Sequence, residues 1–339
     1  SAHTAMPMLE STRLLNFLGI KNADSFIIAQ PNYFAKWSEM LHSQNLDSWK
    51  NYLQFHLVNS MASFLSSPFN QASFEFYGKA VRGQQQQKPR WKRVLDAEEG
   101  AMGEALGQLF AKEYFNETAK KRYEDMVENV RDAYKARIEK LTWMTDSTKQ
   151  KALAKLNAIT KKVGYPEKWK DFSSLKIDAS SFALNMMRSN AWWNTYSLSK
   201  YGKPVDRTEW DMTPQTYNAY YNPSNNEIVL PAGIFTVPGF RDEELDDALV
   251  YGYAAASTIG HEITHGFDDE GRQFDAKGNL KNWWSTTDEE QFTQRAQKLV
   301  NQFSNMIAVD TMHINGKQTL GENLADLGGL LIGLDAFKS

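Results

Sequence analysis

The sequence predicts a mainly α-helical fold with a small β-sheet. Three observations carry that expectation. Apolar residues recur at spacings of three and four through roughly the first 200 residues, the signature of amphipathic helices. Two short runs rich in Tyr, Ile and Val, TYNAYYN and NEIVLPAGI, flank the turn-like Asn-Pro-Ser-Asn-Asn. They read as two strands or a hairpin. From Glu243 the pattern turns helical again through ELDDALVYGYAAASTIGHEITHGF.

Along the chain, RGQQQQKPRW (Arg82 to Trp91) is polar and closes with Pro before Arg-Trp, so it is expected as an exposed loop between helices. Tyr123, Met126, Val127, Val130, Tyr134, Ile138 and Leu141 then form one face of a long amphipathic helix. A second helix is expected over TDSTKQKALAKLNAITKKVGYP. Thr145 or Asp146 would cap it, and Ala152, Leu153, Leu156 and Ile159 would be its buried stripe. Lys161 and Lys162 would face the negative end of its dipole, Gly164 would close it, and Pro166 forbids continuation. Gly202 and Pro204 punctuate KYGKPVDRTEW, where the character of the sequence changes. The expected domains are therefore a helical lobe over 1–204 and a second domain over 205–339. In the latter, Gly252 and Ala254 to Ala256 imply a helix packed closely on its neighbours. No internal repeat is visible.

Composition narrows the function. The 339 residues carry a net charge of -3, without the basic stripe that nucleic-acid binding requires. Cysteine is absent, which removes disulfides, thiolate metal ligands and a cysteine nucleophile. No apolar run reaches the ~18 residues of a membrane helix. The start, SAHTAMPMLES, has no basic and apolar leader pattern and no initiator Met, and reads as a processed or internal start.

The chemistry concentrates in TIGHEITHGFDDEG, Thr258 to Gly271. On a helix, positions i and i+4 share a face, so His261 and His265 can aim ring nitrogens at one cation. Zinc accepts imidazole nitrogen at ~2.0–2.1 Å, and its catalytic sites keep three protein ligands and one open position. Glu262 is rotated by ~100° from His261. It cannot easily bind the same metal, but it can reach water there as a general base. Two histidines on a helix can equally be satisfied by core hydrogen bonds; a third ligand and supporting carboxylates separate the two readings. Both are offered by TLGENLADLGGL, in which Glu322 and Asp326 again stand at i and i+4. Glu322 would be the third ligand. Asp326 would accept the N–H of a ligand histidine and fix its tautomer. Their Gly, Ala and Leu neighbours give the pair an apolar, closely packed setting in which unpartnered charge is costly. One zinc per chain is expected.

Four segments carry a family resemblance: GHEITHGFDDEGRQFDAKGNLKNWW, GENLADLGG, NAYYNPSNNEIVLPAGI and LTWMTDSTKQKALAKLNAITKKVGYP. In order and spacing they resemble the neprilysin and endothelin-converting-enzyme family of zinc endopeptidases, from about Ile27 to Leu331, most specifically in the last ~120 residues. The lack of Cys resembles its bacterial branch. The resemblance implies a gluzincin-type (thermolysin-like) catalytic domain plus a helical lobe that caps a cavity admitting only short peptides. It implies His261, His265 and Glu322 as zinc ligands, Glu262 as the group that activates water, and Asp326 as the orienter of a histidine. Asn218 and Ala219 would hold the substrate backbone, consistent with an exposed strand edge pairing with an extended peptide. Family members continue past the GENxAD motif into a tail with an oxyanion-stabilising histidine and a substrate-binding arginine. A second polypeptide segment carrying both is therefore expected as a partner, alongside short peptide substrates, and the chain reads as a middle fragment. The family also points to the bacterial periplasm or envelope, with the cytoplasm as the alternative. A zinc exopeptidase, or a catalytically weak peptide-binding fragment that needs a second chain, are the competing functions.

The other candidates read as structural. His3, His42 and His56 have no acidic partner motif, and His313 lies in a turn-like HING. Trp283 and Trp284 read as core. Lys120, Lys121 and Arg122 read as a solvated helix face. Asn116-Glu117-Thr118 matches a glycosylation acceptor, with little meaning in this setting. Of Asp268 and Asp269, one would bond the turn or a group that supports the metal ligands.

Overall fold

The computed structural model describes residues 10–339, so His3 and the first residues lie outside the described part. The chain packs as two units, and neither is a single stretch. One comprises the residues up to Met102 together with Asp171–Val205; the other comprises Gly103–Lys170 and Asp206–Ser339. The sequence reading divides the chain once, after residue 204. The packing divides it in three places, because the helix Glu117–Lys140 buries its stripe in the unit that carries the histidine motif. The helix Arg90–Tyr114 breaks at Met102, whose φ of -150° and ψ of 36° are not helical. That break coincides with the boundary between the units.

The first unit is helical, with Pro31–Ser43, Leu46–Met61, Ser67–Ser73 continuing as a π-helical turn to Val81, and Phe182–Ser199. Asn45 caps Leu46–Met61 by accepting from the Ser48 N–H, and Ser181 caps Phe182–Ser199 from the Leu184 N–H. Residues 83–89 form the expected connection without helix. The indole of Trp193 donates to the carbonyl of Ala101 at 3.0 Å. His56 is exposed and packs on the ring of Tyr52.

The second unit is built around Glu117–Lys140. Ala119, Tyr123, Met126, Val127, Val130, Tyr134 and Ile138 are all buried, at the spacing of one helical face. Asn116 is its N-cap, accepting from the Ala119 N–H at 2.8 Å, so the Asn-Glu-Thr triplet has a structural role. Tyr123 stacks on Phe235 with ring centroids 3.9 Å apart. A three-stranded sheet packs into the same core, ordered β1-β3-β2 over Thr160–Gly164, Glu227–Pro231 and Tyr220–Asn222. β3 is buried throughout, parallel to β1 and antiparallel to β2. Among the described residues, no strand pairs with the outer edge of β2. Trp283 and Trp284 join the core as expected.

Two expectations are corrected. The helix after Thr145 ends at Asn157, and the residues read as its last turns form β1 instead. Pairing with β3 satisfies that backbone and buries Val163, while Lys161 reaches Glu128 and Lys162 reaches Glu227. Local sequence offered lysines at a helix end; long-range pairing used them as strand residues. Arg122 is not solvated either. It spans Asp242 at 3.0 Å and Asp247 at 2.5 Å and donates to the carbonyl of Asp242. Only Lys121, paired with Asp125, stands on the open face as expected, since Lys120 covers the ring of Tyr165. Among the described residues, no helix is long and apolar enough to cross a membrane.

Candidate metal centre

The histidine motif is a short helix, His261–His265, that continues a π-helical segment over Tyr251–Gly260. Wider π turns often occur at functional sites. The helix Leu320–Lys338 crosses both segments at backbone contact. A Cβ on Gly329 would stand 2.4 Å from the carbonyl oxygen of Ala256 and 2.7 Å from the amide nitrogen of His261. Glycine is therefore required for the approach. It places Glu322, in the first turn of its helix, beside the two histidines.

Three ligand atoms converge there. His261 Nε2 and His265 Nε2 are 3.0 Å apart, and Glu322 Oε2 lies 3.4 and 3.7 Å from them. Ligands at zinc distances on neighbouring corners of a tetrahedron are separated by about 3.3–3.4 Å. The donor set fits a tetrahedral zinc with one corner open. The other ring nitrogens are also held in the manner of metal ligands. His261 Nδ1 lies 2.8 Å from Asp326 Oδ1, and His265 Nδ1 lies 2.7 Å from Asp268 Oδ2. A carboxylate can only accept, so each Nδ1 carries the proton and each Nε2 presents its lone pair. Burial works to lower the pKa of His265, but the bond to Asp268 together with the nearby charges of Glu262, Asp268 and Glu322 raises it above its usual value.

Glu262 is 7% exposed and lines the same cleft, which has a volume of about 650 Å³. Burial raises its pKa, opposed by the neighbouring His261 and His265 and by a hydrogen bond from the Tyr221 backbone. That bond ties the carboxylate to β2, the edge strand. Asn218 and Ala219 lie just before β2 and also line the cleft. Asn218 is exposed and its side chain accepts from the Ala219 N–H at 2.9 Å.

The structure thus brings together all seven residues singled out in the sequence. One expectation about them fails: the acidic pair is not buried. The side chains of Glu322 and Asp326 are 71% and 73% exposed. Burial is confined to small neighbours on the same side, Ala325 and Gly329, where that helix packs on Tyr251–Gly260. The sequence does not distinguish Asp268 from Asp269; the structure selects Asp268. It is 5% exposed and also accepts from the Glu270 and Gly271 N–H groups. His313 lies on a separate two-stranded ribbon, where Nδ1 meets the Ser304 carbonyl.

Comparison with known proteins gives the family. Two models described as "Peptidase family M13" match residues 2–166 and 218–339. The chain belongs to peptidase family M13. An endothelin-converting enzyme homolog of Locusta migratoria is 36% identical over 94% of this M13 chain and 45% of its own length. A neutral endopeptidase of Lactobacillus helveticus is 36% identical over 94% of this chain and 49% of its own length. Zinc metalloprotease Zmp1 of Mycobacterium tuberculosis, solved with an inhibitor, superposes with a TM-score of 0.85. It is 42% identical and covers 92% of this chain and 48% of its own. The M13 chain therefore spans about half the length of the relatives it matches.

Proposed function

We propose that this protein is a zinc-dependent metalloendopeptidase that hydrolyses short peptides, with one zinc per chain. The observation that carries the reading is the convergence of His261, His265 and Glu322 beside a buried Glu262 in one cleft. Zinc bound there would polarise a scissile carbonyl and lower the pKa of a water to roughly 7. The remaining work falls to side chains and backbone. Glu262 takes a proton from the attacking water as its oxygen bonds to the carbonyl carbon. It returns the proton to the amine nitrogen as the C–N bond breaks. Its raised pKa makes it a better proton acceptor than a solvated carboxylate. Asp268 and Asp326 keep the imidazoles in the tautomer that ligates. The outer edge of β2, with Asn218 and Ala219, is suited to pair with an extended peptide, and the Tyr221 bond sets Glu262 beside that edge.

The test is cleavage of a doubly blocked, fluorescence-quenched peptide by this protein and by Glu262→Gln, at equal zinc content. The expected result is cleavage that the variant loses while retaining zinc. Equal cleavage by both would remove Glu262 from the mechanism. One observation favours a second reading as an exopeptidase. Lys317 lines the cleft and could hold a terminal carboxylate. Cleavage confined to peptides with a free C-terminus would select it.

A further inference from the structure

Lys155 is a buried charge to which the proposed reaction gives no role. It is 1% exposed, on the inner face of the helix Asp146–Asn157. Its Nζ donates to the carbonyls of Gly266, Gly271 and Phe274, each at 2.7 Å. An ammonium has three donors and no acceptor, so these three carbonyls satisfy it completely. The same nitrogen lies 5.6 Å from the ring centroid of Phe267 and 5.9 Å from that of Tyr221. Burial pulls its pKa down to about 8, opposed by Asp268 and Asp275, which leaves it cationic at neutral pH.

The three carbonyls belong to the turn that follows His265. Gly271 gives its carbonyl to Lys155 and its N–H to Asp268 Oδ1 at 2.7 Å. Asp268 Oδ2 then meets His265 Nδ1. The turn has no slack, because a Cβ on Gly271 would stand 1.7 Å from the carbonyl oxygen of His265. The backbone of Lys155 reaches the other wall of the cleft. Its carbonyl accepts from Asn226 Nδ2, and Asn226 Oδ1 accepts from the hydroxyl of Tyr221 in β2. One residue thus joins the turn behind His265 to the strand that bonds Glu262.

We propose that Lys155 is a positioning residue of the metal centre: it gathers the 266–274 turn so that Asp268 holds His265 with Nε2 aimed at the metal. This rests on the zinc reading above. A lysine that merely stabilised the fold would affect melting and leave the metal's surroundings unchanged once the protein was folded.

The test loads the protein with Co²⁺ in place of zinc and reads its absorption spectrum and its affinity by chelator competition. Lys155→Met removes the three donors. Val127→Ala, fully buried in the same unit but away from the cleft, serves as a control for lost stability. The expected result is a 10–100-fold loss of metal affinity and a changed spectrum in Lys155→Met, as when a ligand loses its supporting carboxylate, with neither change in the folded control. Wild-type affinity and spectrum in Lys155→Met, or the same changes in Val127→Ala at matched melting temperature, would overturn the proposal. If Lys155→Met does not fold, Lys155→Arg decides. It keeps the charge but offers a planar fork to three converging carbonyls, so weakened Co²⁺ binding with a changed spectrum is expected, and wild-type binding overturns the idea. His261→Ala separates the two readings. If it takes up Co²⁺ as the wild type does, the zinc reading falls and the Lys155 role with it. If it loses Co²⁺ while Lys155→Met does not, only the Lys155 role falls.

Discussion

Asp268 holds His265 through Nδ1 at 2.7 Å while itself nearly buried, whereas Asp326 holds His261 at 2.8 Å with 73% of its side chain exposed. The two supports should fail differently. Asp326→Ala is expected to weaken metal binding about 10–100-fold while changing stability by no more than about 0.5 kcal/mol, as for surface sites. Asp268→Ala also strips the acceptor from the Glu270 and Gly271 N–H groups. It should weaken metal binding and also destabilise the apo-protein, by about 1–3 kcal/mol for each group left unsatisfied. Chelator competition with urea unfolding of the metal-free proteins measures both. Equal destabilisation by the two variants would contradict the assignment.

Gly329 sets the distance between Glu322 and the histidines. Gly329→Ala puts a methyl 2.4 Å from the Ala256 carbonyl oxygen and 2.7 Å from the His261 nitrogen, both backbone atoms that cannot swing aside. Overpacking of this kind costs about 1–3 kcal/mol. The helices must separate, so metal affinity should fall even though no ligand is altered. A variant with a lower melting temperature but wild-type metal affinity would show that the crossing does not set the site.

Asp288 makes a pH-dependent join in the same unit. It is fully buried and accepts from the Thr145 N–H at 2.9 Å, the Thr145 hydroxyl at 2.6 Å and the Ser285 hydroxyl at 2.6 Å. Burial alone would raise its pKa, but the bonds from Ser285, Thr145 and Thr148 outweigh it and hold the pKa down at about 2. The unfolded value is about 3.9. The folded pKa is depressed, so its contribution is complete above about pH 4 and is lost as pH falls toward 2. Asp288→Asn should therefore be less stable than wild type at pH 7, with the gap narrowing below pH 4. Urea unfolding across that range checks it, and a gap independent of pH would count against the assigned bonds.

Elements whose signals are local can be read directly from the order of residues. The stripe from Tyr123 to Ile138, the two short strands and the i, i+4 pairs His261/His265 and Glu322/Asp326 all follow from period and spacing. So do the candidate ligand residues His261, His265 and Glu322, because few residue types bind zinc. Features that depend on partners distant in sequence emerge only in the folded chain. Thr160–Gly164 became a strand because β3 was there to pair with it. Asp268 rather than Asp269 became the support of His265 because the turn folds back on it. Lys155 shows the limit most clearly. It falls on a buried face, between Ala152 and Ile159, where periodicity expects an apolar residue and charge argues for solvent. Its burial is tolerated because three carbonyls from more than a hundred residues away meet its three donors, and no local pattern records that encounter.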